Sequence, residues 1–154
     1  LLTMKILGIR NSPTKIRFCI LEGDESSFVF KNYDDENKIE LPKSLKTEFD
    51  TFQWVKSEYE RIFDKYGPFD ELAIKQNENV PTRYSSVKPV MFMDCIASMV
   101  SIENNTPFSS HLYNSLGTKS KEVVRFVETK VSKSSVNWDG QIADAIAASI
   151  KCLK

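Results

Sequence analysis

A single stretch near the amino terminus, Met4-Lys5-Ile6-Leu7-Gly8-Ile9-Arg10, restricts the folds open to this chain more than any other. The apolar run is too short for a helix, carries two β-branched isoleucines, and meets the turn cluster Asn11-Ser12-Pro13 at once. It therefore reads as a buried strand. A second run, Ile16-Arg17-Phe18-Cys19-Ile20-Leu21, follows within hairpin distance, and Ser27-Phe28-Val29-Phe30 comes after Glu22-Gly23-Asp24-Glu25. Three meandering strands, the first the most apolar, place Met4–Arg10 near the middle of a sheet on which the rest must pack.

Beyond the meander the periodicity changes. Thr47 is an N-cap, with Asp50 in the place of a capping-box acid, and Phe49, Phe52, Val55, Tyr59, Ile62, Phe63 and Tyr66 supply one apolar face up to Gly67-Pro68. Glu71–Gln76 reads as a fourth strand, returning parallel to an earlier one after the helical crossover. Asn77–Tyr84 is a polar loop broken by Pro81. Ser85 or Ser86 is expected to cap a second helix, with Pro89 tolerable only in its first turn. Val87, Val90, Met91, Cys95, Met99 and Ile102 are its expected buried face. Pro107–Tyr113 reads as a fifth strand, and Leu116-Gly117-Thr118 leads to a helix carrying Val123, Val124, Phe126, Val127 and Val131. After a linker, Ser132–Asn137, Asp139 caps a final helix, Gln141–Leu153, which its alanines make slim enough to lie close to the sheet.

The 154 residues suit one domain, expected over 4–154, with Leu1-Leu2-Thr3 reading as a remnant ahead of the natural start at Met4. Lys+Arg and Asp+Glu both number 21, so the overall charge pulls toward neither nucleic acid nor an acidic partner. A basic strip over Thr118–Lys133 reads first as a solvated helix face. The three cysteines have no C-x-x-C spacing and read as buried thiols in a reducing compartment. His111 is the only histidine, which leaves little for a histidine-ligated metal or a Ser–His pair, and it reads as a strand residue. The apolar stretch Val87–Ile102 is interrupted by Lys88 and Asp94, so no membrane association is expected and the cytoplasm is the expected location.

The order β-β-β-α-β-α-β-α-α is that of the RNase H-like fold, an α/β arrangement whose mixed five-stranded sheet joins a three-strand antiparallel meander to parallel strands and is flanked by helices. Three pieces sharpen the likeness. Ile6-Leu7-Gly8-Ile9 resembles the first strand of RuvC-type Holliday-junction resolvases, Leu72-Ala73-Ile74-Lys75-Gln76 resembles their fourth-strand pattern, and Ile142-Ala143-Asp144-Ala145-Ile146-Ala147 resembles the opening of their last helix. The pieces occur in the right order over nearly the whole chain.

That resemblance implies two Mg²⁺ ions held about 4 Å apart by clustered carboxylates, the hard oxygen ligands such a cation needs. Matched residue by residue, the four acidic positions fall on Arg10, Lys75, Gln141 and Asp144. One acid of four survives, and two positions carry the opposite charge. Two cations beside one anion would repel Mg²⁺, so the first reading is structural: Asp144 neutralises Arg10 or Lys75, no cofactor is held, and the chain is a degenerate, non-enzymatic module binding nucleic acid or another protein. A functional variant makes Arg10, Lys75 and Gln141 a phosphate pocket, with a phosphometabolite as a weaker candidate ligand. For nucleic acid, the candidate contacts are Arg83, Tyr84, Lys119, Lys121 and Arg125, with Tyr84 able to stack on a base. The alternative is an active metal-dependent nuclease with a relocated site, Asp139, Asp144 and Glu78 holding Mg²⁺ or Mn²⁺. The resemblance also implies a homodimer, although the residues themselves leave the oligomeric state open.

Overall fold

The computed structural model describes residues 3–78, 84–133 and 137–154, Tyr84 by its backbone only. Strands β1 (Met4–Ser12) and β2 (Lys15–Gly23) form a hairpin that pairs throughout, from Met4 opposite Gly23 to Ser12 opposite Lys15. Two short strands, β3 (Phe28–Phe30) and β4 (Lys38–Glu40), both pair with β2, at its two ends. Helix α1 (Glu48–Tyr66) leads to β5 (Glu71–Lys75), which lies parallel to β1. Helix α2 (Tyr84–Glu103) leads to β6 (Phe108–His111), parallel to β5 at the sheet's edge. Short helices α3 (Tyr113–Leu116) and α4 (Val123–Glu128) precede α5 (Gly140–Cys152).

The sheet therefore has six strands, in the order β3-β2-β1-β5-β6 with β4 also on β2, and not the five expected. The additional one, β4, is three residues long and buries only Ile39, opposite Ile16; a run that short carries no alternation to detect. The expected place of Met4–Arg10 holds: β1 is central, antiparallel to β2 and parallel to β5.

Strand alternation divides the core in two. Ile6, Cys19, Leu21 and Ala73 face α4 and α5, whereas Leu7, Ile9, Phe18, Ile20, Leu72 and Ile74 face α1 and α2. The close approach of α5 depends on Gly8, where a Cβ would stand 1.9 Å from Ser149 Oγ and 2.3 Å from the Ala145 carbonyl. Both expected caps form: Thr47 accepts from the Asp50 N–H, and Asp139 accepts from the Gln141 and Ile142 N–H groups.

Helix α2 departs from expectation. It begins at Tyr84, ahead of the proposed cap, and carries Pro89 inside it. Its buried apolar positions are Val90, Met93, Ala97 and Val100, whereas Met91, Cys95, Met99 and Ile102 are exposed. Cys95 is thus not a buried thiol, unlike Cys19 and Cys152, and Phe49 on α1 is exposed as well. By length and composition, α2 is the one helix among the described residues that could cross a bilayer. Here it packs on α1 and the sheet, and its Asp94 accepts a hydrogen bond from Asn11 of β1.

Candidate functional site

Parallel β1 and β5 end side by side, and in open α/β sheets ligands bind beyond such carboxyl ends. On the α5 side alternation places Arg10 two residues beyond Gly8 and Lys75 two beyond Ala73, so both cations point toward α5. There they meet Asp144. Arg10 Nε donates to Asp144 Oδ2 at 3.0 Å, and the Tyr113 hydroxyl donates to Oδ1 at 2.6 Å. Both carboxylate oxygens are thereby engaged. Burial pushes the Asp144 carboxyl above its ordinary value, against the pull of Tyr113, Arg10 and Lys75.

Lys75 does not join that ion pair. Its Nζ donates to the Gln76 carbonyl at 2.6 Å and to Glu78 Oε2 at 3.3 Å, and stands 3.9 Å from the Tyr113 ring centroid. The side chain is fully buried, and desolvation followed by the nearby Arg10 charge depresses its pKa. The π face of Tyr113 and the Glu78 carboxylate together make a buried ammonium tolerable.

The opposite face of β1 carries a second polar network. Asn11, next to Arg10 and hence pointing the other way, donates to Asp94 Oδ1 at 2.8 Å and accepts from the Tyr59 hydroxyl at 2.5 Å. Burial raises Asp94 to about 6, and burial together with the Asp94 charge raises Tyr59. Residues 10 and 11 of one strand thus clamp α5 on one side and α1 with α2 on the other.

A cleft of about 430 Å³ opens at this point, lined by Arg10, Asn11, Asn77, Glu78, Tyr113, Ser120 and Gln141, among others. Arg10, Glu78 and Gln141 line it, and Asp144 and Lys75 are joined to it through their bonds to Arg10 and Glu78. Lys119 and Lys121 are exposed on either side of the cleft residue Ser120, and Arg125 is exposed on α4. Arg83 lies outside the described residues, as does the side chain of Tyr84. Asp139 is held elsewhere: both its oxygens accept from Arg17 Nη1, at 2.8 and 2.7 Å, and Oδ1 also caps α5. Burial would raise the Asp139 carboxyl, but the bonds from Arg17 and the helix amides leave it below its ordinary value.

The cluster does not suit a divalent cation. Among the described residues, no three His, Cys, Asp or Glu side chains are placed to share an ion, and the trio Asp139, Asp144 and Glu78 is divided among different partners. Fixed cations stand beside the one buried acid, where Mg²⁺ would require further oxygen donors.

Tyr113, Asn11 and Tyr59 are site residues that motif matching passed over. Only the strand alternation hinted at Asn11, because a polar residue following Arg10 must enter the other half of the core.

No protein-family model matches the chain, and no curated protein matches it in sequence. Comparison of structures is more informative. The molecule has the RNase H-like fold, in the form found in RuvC Holliday-junction resolvases. T. thermophilus RuvC in complex with a Holliday junction substrate superposes with a TM-score of 0.77 at 12% identity, over 96% of this chain and 91% of that one. A second T. thermophilus RuvC structure gives 0.75 at 11% identity, covering 96% and 92% of the two chains. The yeast mitochondrial Holliday junction resolvase Ydc2 gives 0.64 at 13% identity, covering 95% and 76%.

Proposed function

We propose that this RuvC-like domain binds a nucleic-acid backbone at the Arg10 cleft without hydrolysing it. The observation that carries the reading is the Arg10–Asp144 ion pair, with Lys75 buried beside it. The positive charge that resolvases of this fold are expected to recruit as metal is here built into the side chains. A guanidinium at the cleft wall, with the Gln141 and Asn77 amides and the Ser120 hydroxyl around it, presents donors suited to phosphate oxygens. Exposed Lys119 and Lys121 flank the same wall, and one solved neighbour of the fold holds a branched DNA. Hydrolysis would need an activated water and a clamp on the leaving oxygen, and the engaged oxygens of Asp144 supply neither.

The test is fluorescence anisotropy with branched DNA, duplex DNA and an RNA–DNA hybrid, run in EDTA and in Mg²⁺ or Mn²⁺, with cleavage followed in parallel. Binding that persists in EDTA, weakens steeply with salt and falls at least about five-fold in Gln141→Glu supports the proposal. Gln141 lies in the first turn of α5, where an acid suits the helix dipole, so this variant changes the cleft's charge without endangering the fold. Metal-dependent cleavage lost in Asp144→Asn would overturn it and establish the nuclease reading. Absence of binding at low salt would overturn it in favour of a protein partner.

A further inference from the structure

Glu78 is held in the cleft by long contacts. Its Oε2 accepts from the Lys75 ammonium at 3.3 Å, and both its oxygens accept from the Tyr113 N–H at 3.4 Å. The Glu78 side chain is 41% exposed, whereas the Lys75 side chain beneath it is fully buried. The bond from Lys75 to the Gln76 carbonyl is short, 2.6 Å, and the Arg10–Asp144 pair closes at 3.0 Å. Lys75 is thus fixed in place and its carboxylate partner is loose. Donors that stay beside an acceptor that can leave make a seat for an anion.

We propose that this seat takes a terminal phosphate, the phosphomonoester at the end of a nucleic-acid strand, and that Glu78 fills it as a tethered anion until the strand arrives. The assignment rests on the nucleic-acid reading of the cleft and names the part of the strand that enters it. Charge selects an anion, because a buried ammonium cannot trade its carboxylate for a neutral sugar or base without standing uncompensated. Charge also favours the end of a strand over its interior. A backbone diester carries one negative charge and would exchange with Glu78 like for like. A phosphomonoester carries about −1.5 to −2 charges at pH 7 and offers three acceptor oxygens.

The geometry agrees. The Tyr113 ring centroid lies 3.9 Å from the ammonium and the Gln76 carbonyl takes one of its hydrogens, so an oxygen reaches Lys75 along the path of the Glu78 carboxylate. A seat so recessed suits the tip of a ligand better than a chain passing through. Around it the Arg10 guanidinium and the Asn77 and Gln141 amides line the cleft, donors for the remaining oxygens. Glu78, once displaced, turns to the water it already faces.

Fluorescence anisotropy of the whole chain tests the proposal. The probe is one short DNA, single-stranded and duplex, labelled at an internal base and carrying a 5′-phosphate, a 3′-phosphate or hydroxyls at both ends. One phosphorylated form should bind about ten-fold more tightly than the hydroxyl form, as charge-assisted hydrogen bonds predict. Glu78→Gln should tighten that form further, by up to about five-fold, the worth of a half-exposed ion pair. Lys75→Met, which puts an apolar side chain of similar length in a buried position, should remove both the preference and the gain from Glu78→Gln. A gain that survives in Lys75→Met would overturn the proposal, because general repulsion by Glu78 would then explain it. Equal binding of the three end forms would also overturn it and leave the backbone reading standing. Failure of every form to bind at low salt would remove the backbone reading and this proposal with it. In the wild type, the ¹⁵N resonance of the Tyr113 amide should shift with the preferred DNA, and its indifference would count against the seat. Ribose 5-phosphate distinguishes the source of the ester. Competition at concentrations equal to those of the DNA would overturn the strand-end assignment and give the seat to a small phosphate ester.

Discussion

Arg10 Nε and Asp144 Oδ2 stand 3.0 Å apart although 134 positions separate them in the chain. This contact ties the central strand to the last helix at the point where the cleft opens, and both side chains are largely withdrawn from water, 16% and 4% exposed. A buried pair is costly to break by half, because the survivor remains as an uncompensated charge.

Arg10→Met should therefore cost about 3 kcal/mol in urea unfolding. Adding Asp144→Asn should return more than half of that loss, since Asn carries no charge and still accepts from Tyr113 at Oδ1. A double variant no more stable than Arg10→Met would show that the pair is not the contact holding α5.

Gly8→Ala should destabilise by about 3 kcal/mol or more, through overpacking. The added methyl meets Ser149 Oγ, the Ala145 carbonyl and Cys19 Sγ at 1.9, 2.3 and 2.9 Å. Combining it with Ser149→Gly should recover only part, because the Ala145 carbonyl is backbone and cannot withdraw. Full recovery in thermal denaturation would mean that the helix has more freedom to shift than this packing allows.

Asp94 gives a pH signature. Its carboxyl is raised from 3.8 to about 6, with burial the leading cause. Between those values the folded chain keeps a proton that the unfolded chain releases, so this group's contribution is most favourable below pH 4 and declines as the pH rises through 6. Asp94→Asn retains an acceptor for Asn11 and removes the ionisation. Its advantage over the wild type should grow by an order of 2 kcal/mol between pH 4 and 7.5. Equal urea midpoints for the two proteins across that range would refute the assignment.

Asp139 holds two elements at once. Asp139→Asn keeps a capping oxygen and should cost about 1–2 kcal/mol, chiefly through the lost charge on Arg17. Asp139→Ala should cost distinctly more, because it leaves the buried Arg17 guanidinium without the carboxylate and uncaps α5. Similar melting temperatures for the two variants would mean that the cap matters little.

What the chain disclosed in advance followed from strong local patterns. Met4–Arg10, Glu71–Lys75 and the long α1 face were legible because burial there is one-sided or continuous over many residues. Helix α2 misled because it is apolar nearly all round. Met91, Cys95, Met99 and Ile102 keep helical spacing as well as Val90, Met93, Ala97 and Val100 do, and no charge distinguishes the lines. At the cleft, Arg10, Lys75, Gln141 and Asp144 were singled out by the resemblance of three short motifs to the family pattern, taken residue by residue. The partners were not, because Tyr113 reaching Asp144 and Glu78 turning to Lys75 depend on side-chain direction across elements.

The contact of α5 with Gly8 separates scaffold from chemistry. The helix is registered against the central strand by atoms of the main chain and by small side chains, none of which reaches the cleft. The uncharged side chain at position 141, on the first turn of α5, can consequently be exchanged without moving that platform, whereas Arg10 and Lys75 at the strand ends are bound into it through Asp144 and Glu78. The domain is for this reason a host for redesign at the start of its last helix: a new recognition group written there should inherit a geometry already set a turn of helix away.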